Sequence, residues 1–369
     1  MRKKILLFTA FVPNESGAAE KNTMLMVNDL SKHFNIDIAY FKYRWQDNYT
    51  EPNDFVKVIN VFEINSISKI INCFCHPFTH PLFSVRFNRN INCWLQQTVN
   101  NNTYDAIIFE HSQLFMFAKT IKTNAKCILF SHDVIYQRVS RSQNALMAYI
   151  CKRAEKQFLT MKHCSVVTIS AKDSNLVKKL YNVDSEYSVA YIDKKIIDSL
   201  PQKIENKYVF IGKWSRADNL DGVLWFFEKV VPLIKSKIDI CILGRDFPKE
   251  KIKNTNANVS VSIPGFVDNP YSMIANAKAL LAPIFTGAGV KQKVLESLAC
   301  GTPIIGTDVA FEGISLDYEE FMKLASTPKE FAYYIDTVNY DVPKRIEMKR
   351  KFLSNYGHHS MTNYLLKIL

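Results

Sequence analysis

Lys291, Lys293 and Glu296 follow Gly287 and Gly289 within the stretch PIFTGAGVKQKVLESLACGTPIIGT at 283–307. Two ammonium groups two residues apart, directly behind a glycine loop, suit a diphosphate. The glycines free the backbone for positive φ, and backbone N–H groups, a helix N-terminus and lysines can then face the same anion. Glu296 stands one helical turn beyond Lys293. A carboxylate there is poorly placed for phosphate and well placed to accept hydrogen bonds from vicinal hydroxyls, as on a ribose. Three elements must position these groups. Ala279-Leu280-Leu281-Ala282 predicts a strand, and Val290, Val294, Leu295, Leu298 and Ala299 recur at helical spacing. Gly301 stops that helix and Pro303 opens the next strand, at 303–306. A surface helix behind an ordinary glycine turn is the bland alternative, and the whole constellation argues against it.

The segment resembles the nucleotide-sugar site of GT-B glycosyltransferases, especially the GT4-like group 1. That family's pattern runs P-x3-G-x-G-x-[KR]-x-K-x-L-E-[AS]-x-A-x-G-x-P-[VI]-[VI], and 283–305 meets every fixed place. The resemblance implies that Lys291 and Lys293 hold the donor diphosphate and act in catalysis, that Glu296 holds the ribose, and that Gly287, Ala288, Gly289 and Val290 line the donor. One place departs from many retaining members. They carry a second Glu eight residues before Glu296, and Ala288 stands there, which leaves donor identity and the handling of the sugar open. Further matches are Gly212 and Lys213, at the end of a strand over 208–212, where the backbone approaches the donor phosphates. Phe266 and Val267, in the run PGFVD, match the segment that reads the nucleobase.

The N-terminal half matches more loosely. Gly17 opens the first helix and is expected to face the donor phosphates. His132, in Ser131-His132-Asp133, ends a strand at the edge where doubly wound sheets place ligands. The resemblance implies that its imidazole contacts the donor sugar or a leaving phosphate oxygen; a histidine that only caps the next segment is the other reading. Glu155 reads as a structural helix contact, and Ser170 as an N-cap with Asp173. The family's P-N-G turn is absent, and Ala190-Tyr191-Ile192-Asp193 stands in its place.

Composition bounds the rest. The chain has 369 residues, enough for two compact α/β domains. Hydrophobic residues make up 47% and the mean hydropathy is −0.09, which fits a globular protein. No apolar run reaches the roughly 18 residues a membrane span needs. The start, MRKKILLFTAF, mimics a signal peptide but reads better as a buried strand. Eight scattered cysteines fit a reducing cytosol. Cys73, Cys75, His76 and His80 match no zinc spacing. The net charge of +12 calls for anionic partners. No nucleic-acid-binding module is visible, so phosphate-bearing donors and anionic lipid remain. The segment 66–97 mixes Phe74, Phe78, Phe83, Phe87 and Trp94 with Lys69, Arg86 and Arg89 and contains no acid. It reads either as an interfacial segment on an anionic membrane, with Phe83, Arg86 and Phe87 as its contacts, or as helices packed on the first sheet.

Strands and helices alternate throughout, which indicates parallel sheets covered on both faces. The expected fold is α/β: GT-B, with two doubly wound Rossmann-like domains facing a cleft. The boundaries expected are 1–192 for an acceptor-side domain and 207–355 for a nucleotide-sugar domain, joined by a polar linker at 192–206. A helix over 356–369 is expected to pack back on the first domain. Helices are also expected at 18–34, 146–161, 171–180, 221–234 and 343–354. The expected activity is transfer of a sugar from a nucleotide diphosphate donor to a hydroxyl acceptor on a glycan, lipid-linked or protein-linked carrier. The resemblance implies retention of configuration. No D-x-D pair stands at a strand end, so the site is expected to need no metal and no cofactor, and the location expected is the cytoplasm or the inner face of the cell membrane. The alternatives are a non-catalytic nucleotide-sugar-binding subunit of a glycan assembly complex, or a nucleotide-sugar 2-epimerase.

Overall fold

The computed structural model describes residues 2–356 and 358–369. The chain forms two compact units. One comprises Met1–Tyr191 with His359–Leu369, and the other Ile192–His358.

The first unit is built on seven parallel strands: β1 (Lys4–Thr9), β2 (Asn35–Lys42), β3 (Val56–Glu63), β4 (Ala106–Glu110), β5 (Lys126–Ser131), β6 (Cys164–Thr168) and β7 (Glu186–Tyr187). They lie in the order β3-β2-β1-β4-β5-β6-β7. The inner strands read as unbroken apolar runs because helices cover both faces. Ile5, Leu6, Leu7, Phe8, Ile107, Ile108 and Phe109 are all fully buried. The strand order reverses between β1 and β4, so their C-terminal ends open the crevice at which such sheets take ligands. The first helix spans Ala18–Leu30, four residues shorter than 18–34. Ser31 Oγ donates to the Asn28 carbonyl at 3.0 Å, and the Leu30 carbonyl takes the amides of both His33 and Phe34. The helix therefore tightens into a turn there.

The segment beyond β3 holds three helices, Ser66–Phe74, Pro81–Ser84 and Arg89–Asn101. Here the structure corrects the expected membrane contacts. Phe83 and Arg86 are buried and Phe87 is half-buried. Phe83 packs against Phe158 and Phe87 against Phe117, with ring centroids 5.2 and 4.9 Å apart. The Arg86 guanidinium lies 4.9 Å from the Phe11 ring and 5.7 Å from the Phe41 ring. Burial lowers its pKa to about 10. These three residues hold the unit together.

The second unit carries β8 (Glu205–Ile211), β9 (Ile238–Leu243), β10 (Val259–Gly265), β11 (Ala277–Ala282), β12 (Ile304–Gly306) and β13 (Met322–Leu324). All are parallel, in the order β10-β9-β8-β11-β12-β13, so this sheet reverses between β8 and β11. The helix expected over 221–234 is three pieces. An α-helix over Ala217–Trp225 passes into a π turn at Phe226–Val230 and a 3-10 turn at Val231–Leu233. Pro232 cannot donate to an α ladder, which accounts for the tightened end. Gly222 is required where this helix crosses the loop after β11: a Cβ there would lie 2.0 Å from the Pro283 carbonyl oxygen.

The segment 192–206 is not a bare linker, since it holds the short helix Lys194–Asp198. Lys349 Nζ donates 2.8 Å to the Ile196 carbonyl and also to that of Ser199. Lys349 lies in the helix Val342–Tyr356, as does the fully buried Arg345. The Arg345 guanidinium donates to the carbonyls of Ala275, Ala277, Lys278 and Tyr340. The last helix, Met361–Ile368, packs on Ala18–Leu30 in the first unit.

Candidate functional site

At the reversal of the second sheet, the loop after β11 carries Gly287 and Gly289 at φ +103° and +71°. Both conformations are costly for any residue with a Cβ. The loop delivers Lys291 as the N-cap of the helix Gln292–Ala299. The helix has no acid in its first turn, so its positive end is not neutralised from within. Lys291 Nζ donates to the Gly289 carbonyl at 2.7 Å and pairs with Glu312 at 3.9 Å.

Lys293 Nζ donates to Asn219 Oδ1 at 2.8 Å. Asn219 in turn donates from Nδ2 to the Lys213 carbonyl at 3.1 Å. One side chain thus ties the lysine to the loop after β8, where Gly212 and Lys213 stand. Burial lowers the Lys293 pKa to about 8; Asp218 opposes this, and Arg216 and Lys291 add to it. Asp218 holds Arg216 in a fork at 2.7 and 3.1 Å. Despite the penalty of burial, Arg216 and Lys293 keep the Asp218 carboxyl below its ordinary range. The sequence analysis missed Arg216 and Asp218. The run SRADN just past a strand end gave no spacing signal, because the lysine that Asp218 faces, Lys293, comes from a distant part of the chain.

Glu296 is buried. Its Oε1 is 3.4 Å from both Tyr271 Oη and Gln292 Nε2. Burial and the Glu296 charge push the Tyr271 hydroxyl pKa well up, so it remains a donor. Gly244, at the end of β9, has φ +125°, and a Cβ there would lie 1.9 Å from the Gly212 carbonyl oxygen. Phe266 is exposed, with the Arg245 guanidinium 4.1 Å from its ring centroid. Val267 beside it is half-buried, as are Ala288 and Val290. The second unit therefore brings together Gly212, Lys213, Lys293 and Asn219, with Lys291 and Glu296 on the same short helix.

In the first unit, Gly17 is the N-cap of Ala18–Leu30 in extended conformation. A Cβ on it would meet only the Glu20 carboxylate, the movable end of a side chain, so the backbone itself does not demand glycine. His132 Nε2 lies 3.1 Å from Glu110 Oε1, which also accepts from Thr23 Oγ1 at 2.8 Å. Glu110 is fully buried, and its Oε2 has no protein partner. His111, at φ +73°, lies against His132 with ring centroids 3.9 Å apart and the planes tilted by 32°. Burial, then the charges of His132, Arg86 and Arg138, hold the His111 pKa well below its ordinary value. Among the described residues, Glu110, His111 and His132 are the one trio of metal-ligating types whose ligand atoms converge within 4.8 Å. All three stand at the C-terminal edge beside the β1–β4 reversal. Sequence reasoning found His132 and missed the other two. The signal was available: Glu110-His111 and His132-Asp133 follow two adjacent apolar strands.

Glu155 is buried and caps a helix from outside it. Its carboxylate accepts from the amides of Ile135 and Tyr136 at 2.7 and 3.1 Å and from Tyr181 Oη at 2.5 Å. These amides begin the helix Ile135–Ser142, which carried no sequence signal of its own.

The sequence profile of the family "Glycosyl transferases group 1" matches residues 205–338. Residues 205–338 are a group 1 glycosyltransferase domain, and the chain is a glycosyltransferase of GT-B fold. The sucrose-phosphate synthase structure from Thermosynechococcus elongatus is similar to it over 100% of this chain and 98% of that one, with TM-score 0.74 at 12% identity. The Anabaena HepE structure in complex with UDP is similar over 99% and 98%, with TM-score 0.67 at 11% identity. An uncharacterized 44.6 kDa protein in the cps region of Klebsiella pneumoniae is 22% identical, over 73% of each chain. In this glycosyltransferase the family match spans β8 to the helix after β13 and so contains every lysine and carboxylate of the second-unit site. No helix among the described residues is long and apolar enough to cross a membrane.

Proposed function

We propose that this glycosyltransferase moves a sugar from a nucleoside diphosphate donor to a hydroxyl acceptor in glycan or polysaccharide assembly, with retention and without a metal. The observation that carries the reading is Lys293. The residue is half-buried, and its ammonium is held by Asn219 beside the loops after β8 and β11, next to a helix N-terminus and a glycine loop. Lys291 and Lys293 hold the diphosphate, and Gly212, Lys213, Gly287, Ala288, Gly289 and Val290 line it. Glu296, fixed by Tyr271 and Gln292, takes the ribose hydroxyls. Phe266 and Val267 meet the nucleobase, with Arg245 stacked behind Phe266.

In the reaction, the bond from C1 of the sugar to the diphosphate oxygen breaks, and C1 bonds to the acceptor oxygen. The acceptor proton passes to the departing phosphate, and a nucleoside diphosphate leaves. Negative charge grows on that phosphate in the transition state, where fixed ammonium groups and backbone N–H groups stabilise it. We assign His132 a contact with the sugar or the leaving phosphate, with Gly17 on the donor side of the first unit. Glu110 orients the His132 imidazole. The HepE structure with UDP supports a UDP donor, and the cps-region relative supports a polysaccharide setting.

A second reading rests on Ala288, which stands where many retaining members place a carboxylate. It makes the chain a nucleotide-sugar-binding subunit without turnover. Purified protein assayed with UDP-, GDP- and dTDP-linked sugars separates the two. Transfer or donor hydrolysis supports the enzyme, and saturable binding without turnover supports the subunit. Turnover that survives chelation fits the lysine site. Turnover lost on chelation and restored by a divalent ion would move the chemistry toward Glu110, His111 and His132.

A further inference from the structure

The helix Ser66–Phe74 carries an apolar face turned to solvent. Ile67, Ile70, Ile71 and Phe74 recur at i, i+3, i+4 and i+7, and all are more than half exposed. Phe78, just past the helix, extends the patch and is 93% exposed. Such a stripe on a helix of a globular protein normally faces its core, and contiguous exposed apolar surface on this scale marks an interaction site. The helix is firmly placed all the same. Asn65 and Ser68 form a capping box at its start. The buried Asn72 donates to the Val85 carbonyl at 3.0 Å. Lys69 Nζ donates to Tyr43 Oη, and the Tyr43 ring stacks on Trp45 at 4.5 Å. Trp45 is itself 78% exposed, so an exposed indole is linked to the helix through Tyr43 and Lys69.

We propose that Trp45, Ile67, Ile70, Ile71, Phe74 and Phe78 form a docking surface for an anionic lipid bilayer. Charge selects this occupant over an apolar protein groove. No Asp or Glu occurs from 64 to 104, Lys69 and Arg89 lie within that span, Arg44 adjoins Trp45, and the chain carries +12 overall. A helix with bulky aliphatic and aromatic residues on one side, short polar residues opposite and cations at its borders lies in the plane of a membrane interface. Tryptophan suits the same depth, with an apolar ring and one N–H donor. Phe83, Arg86 and Phe87 belong to the floor that supports this helix. The surface does not depend on the donor reading, because it uses none of the residues assigned to the nucleotide sugar.

Co-sedimentation with vesicles tests it, using phosphatidylcholine alone and phosphatidylcholine mixed with phosphatidylglycerol. The full chain binds the mixed vesicles more tightly, and binding weakens with salt as the Debye length falls from about 10 Å at 0.1 M to about 3 Å at 1 M. The variant Ile70→Ser, Ile71→Ser, Phe74→Ser, Phe78→Ser loses at least about tenfold in vesicle affinity, because each exposed side chain would otherwise bury apolar area in lipid. Its fold and its affinity for UDP are kept, checked by the thermal midpoint and by titration, since all four side chains are more than half exposed and none belongs to the donor site. Absent binding to either vesicle overturns the proposal, as does a variant that binds as well as the parent. A parent that is dimeric by light scattering and a variant that is monomeric, with vesicle binding unchanged, would assign the face to self-association instead.

Discussion

A lysine with its pKa near 8 is well matched to an anion that arrives and leaves. Before the donor binds, Lys293 is held short of full charge stability by burial and by the nearby Arg216 and Lys291. A diphosphate favours the protonated form, so binding draws the pKa back up. Donor affinity is therefore full below pH 8 and falls as pH rises through it, because a proton must then be taken up on binding. Replacing Lys293 with Ala removes both the inflection and, in turnover, about 10²–10³-fold. Wild-type turnover in the folded variant would end the phosphate assignment. Glu296→Gln acts differently. It weakens free nucleotide and donor alike by isothermal titration, because the ribose is common to both; an affinity unchanged for the nucleotide would place Glu296 on the sugar or in the framework. The two lysines, Glu296 and both positive-φ glycines were legible because strand, loop and helix signals fall within 25 letters. The roles of Asn219 and Asp218 were not, since each gains its meaning from Lys293, far along the chain.

At the scale of elements, the strands were legible because burial on both faces leaves an unbroken apolar run. The two-residue β7 and three-residue β13 were too short to give one. Helix ends drifted where local hydrogen bonds decide them, as at Ser31 and Pro232. The helix Ile135–Ser142 is held from outside by Glu155, which no local pattern announces. Burial raises the Glu155 pKa to about 7 against the hydrogen bonds from Tyr181, Tyr136 and Ile135, and Asp133 adds to the rise. A raised carboxyl favours the native state while protonated. Its stabilisation is complete below the unfolded value near 4.5 and is lost as pH rises through 7, by up to about 3 kcal/mol. Chemical denaturation of Glu155→Gln should show a flatter profile over that window, and a parallel profile would refute the role. Gly222→Ala tests the crossing of helix and loop. With a Cβ driven against the Pro283 carbonyl, the loop must shift, at a cost of about 1–3 kcal/mol. A donor affinity that falls with stability would tie Gly222 to the loop carrying Gly287.

For the whole molecule, alternation and the change in character near 192 gave two α/β units, while which face of a helix meets solvent stayed hidden. Periodicity reports that a stripe exists and not what covers it, so Phe83 and Phe74 looked alike until one proved to be core and the other exposed. The chain's path carries a consequence of its own. After completing the second unit it returns eleven residues, His359–Leu369, to the first. The Val189 amide donates to the His359 carbonyl at 2.7 Å. Thr362 Oγ1 donates to Asp29 at 2.6 Å and lies 3.3 Å from Tyr191 Oη. Met361 and Leu365 are fully buried. Deleting 359–369 therefore removes a late segment of sequence but weakens the first unit, where Asp29 and Tyr191 each lose the Thr362 hydroxyl and two apolar side chains leave the core. At about 1.5–3 kcal/mol for each such side chain, the loss is about 3–6 kcal/mol before the hydrogen bonds are counted. Hydrogen exchange read by peptide gives the test. Amides of Ala18–Leu30 should exchange faster in the truncated chain while those of Gln292–Ala299 keep their protection. Protection lost equally in both helices, or in neither, would show that the returning helix does not act as part of the first unit.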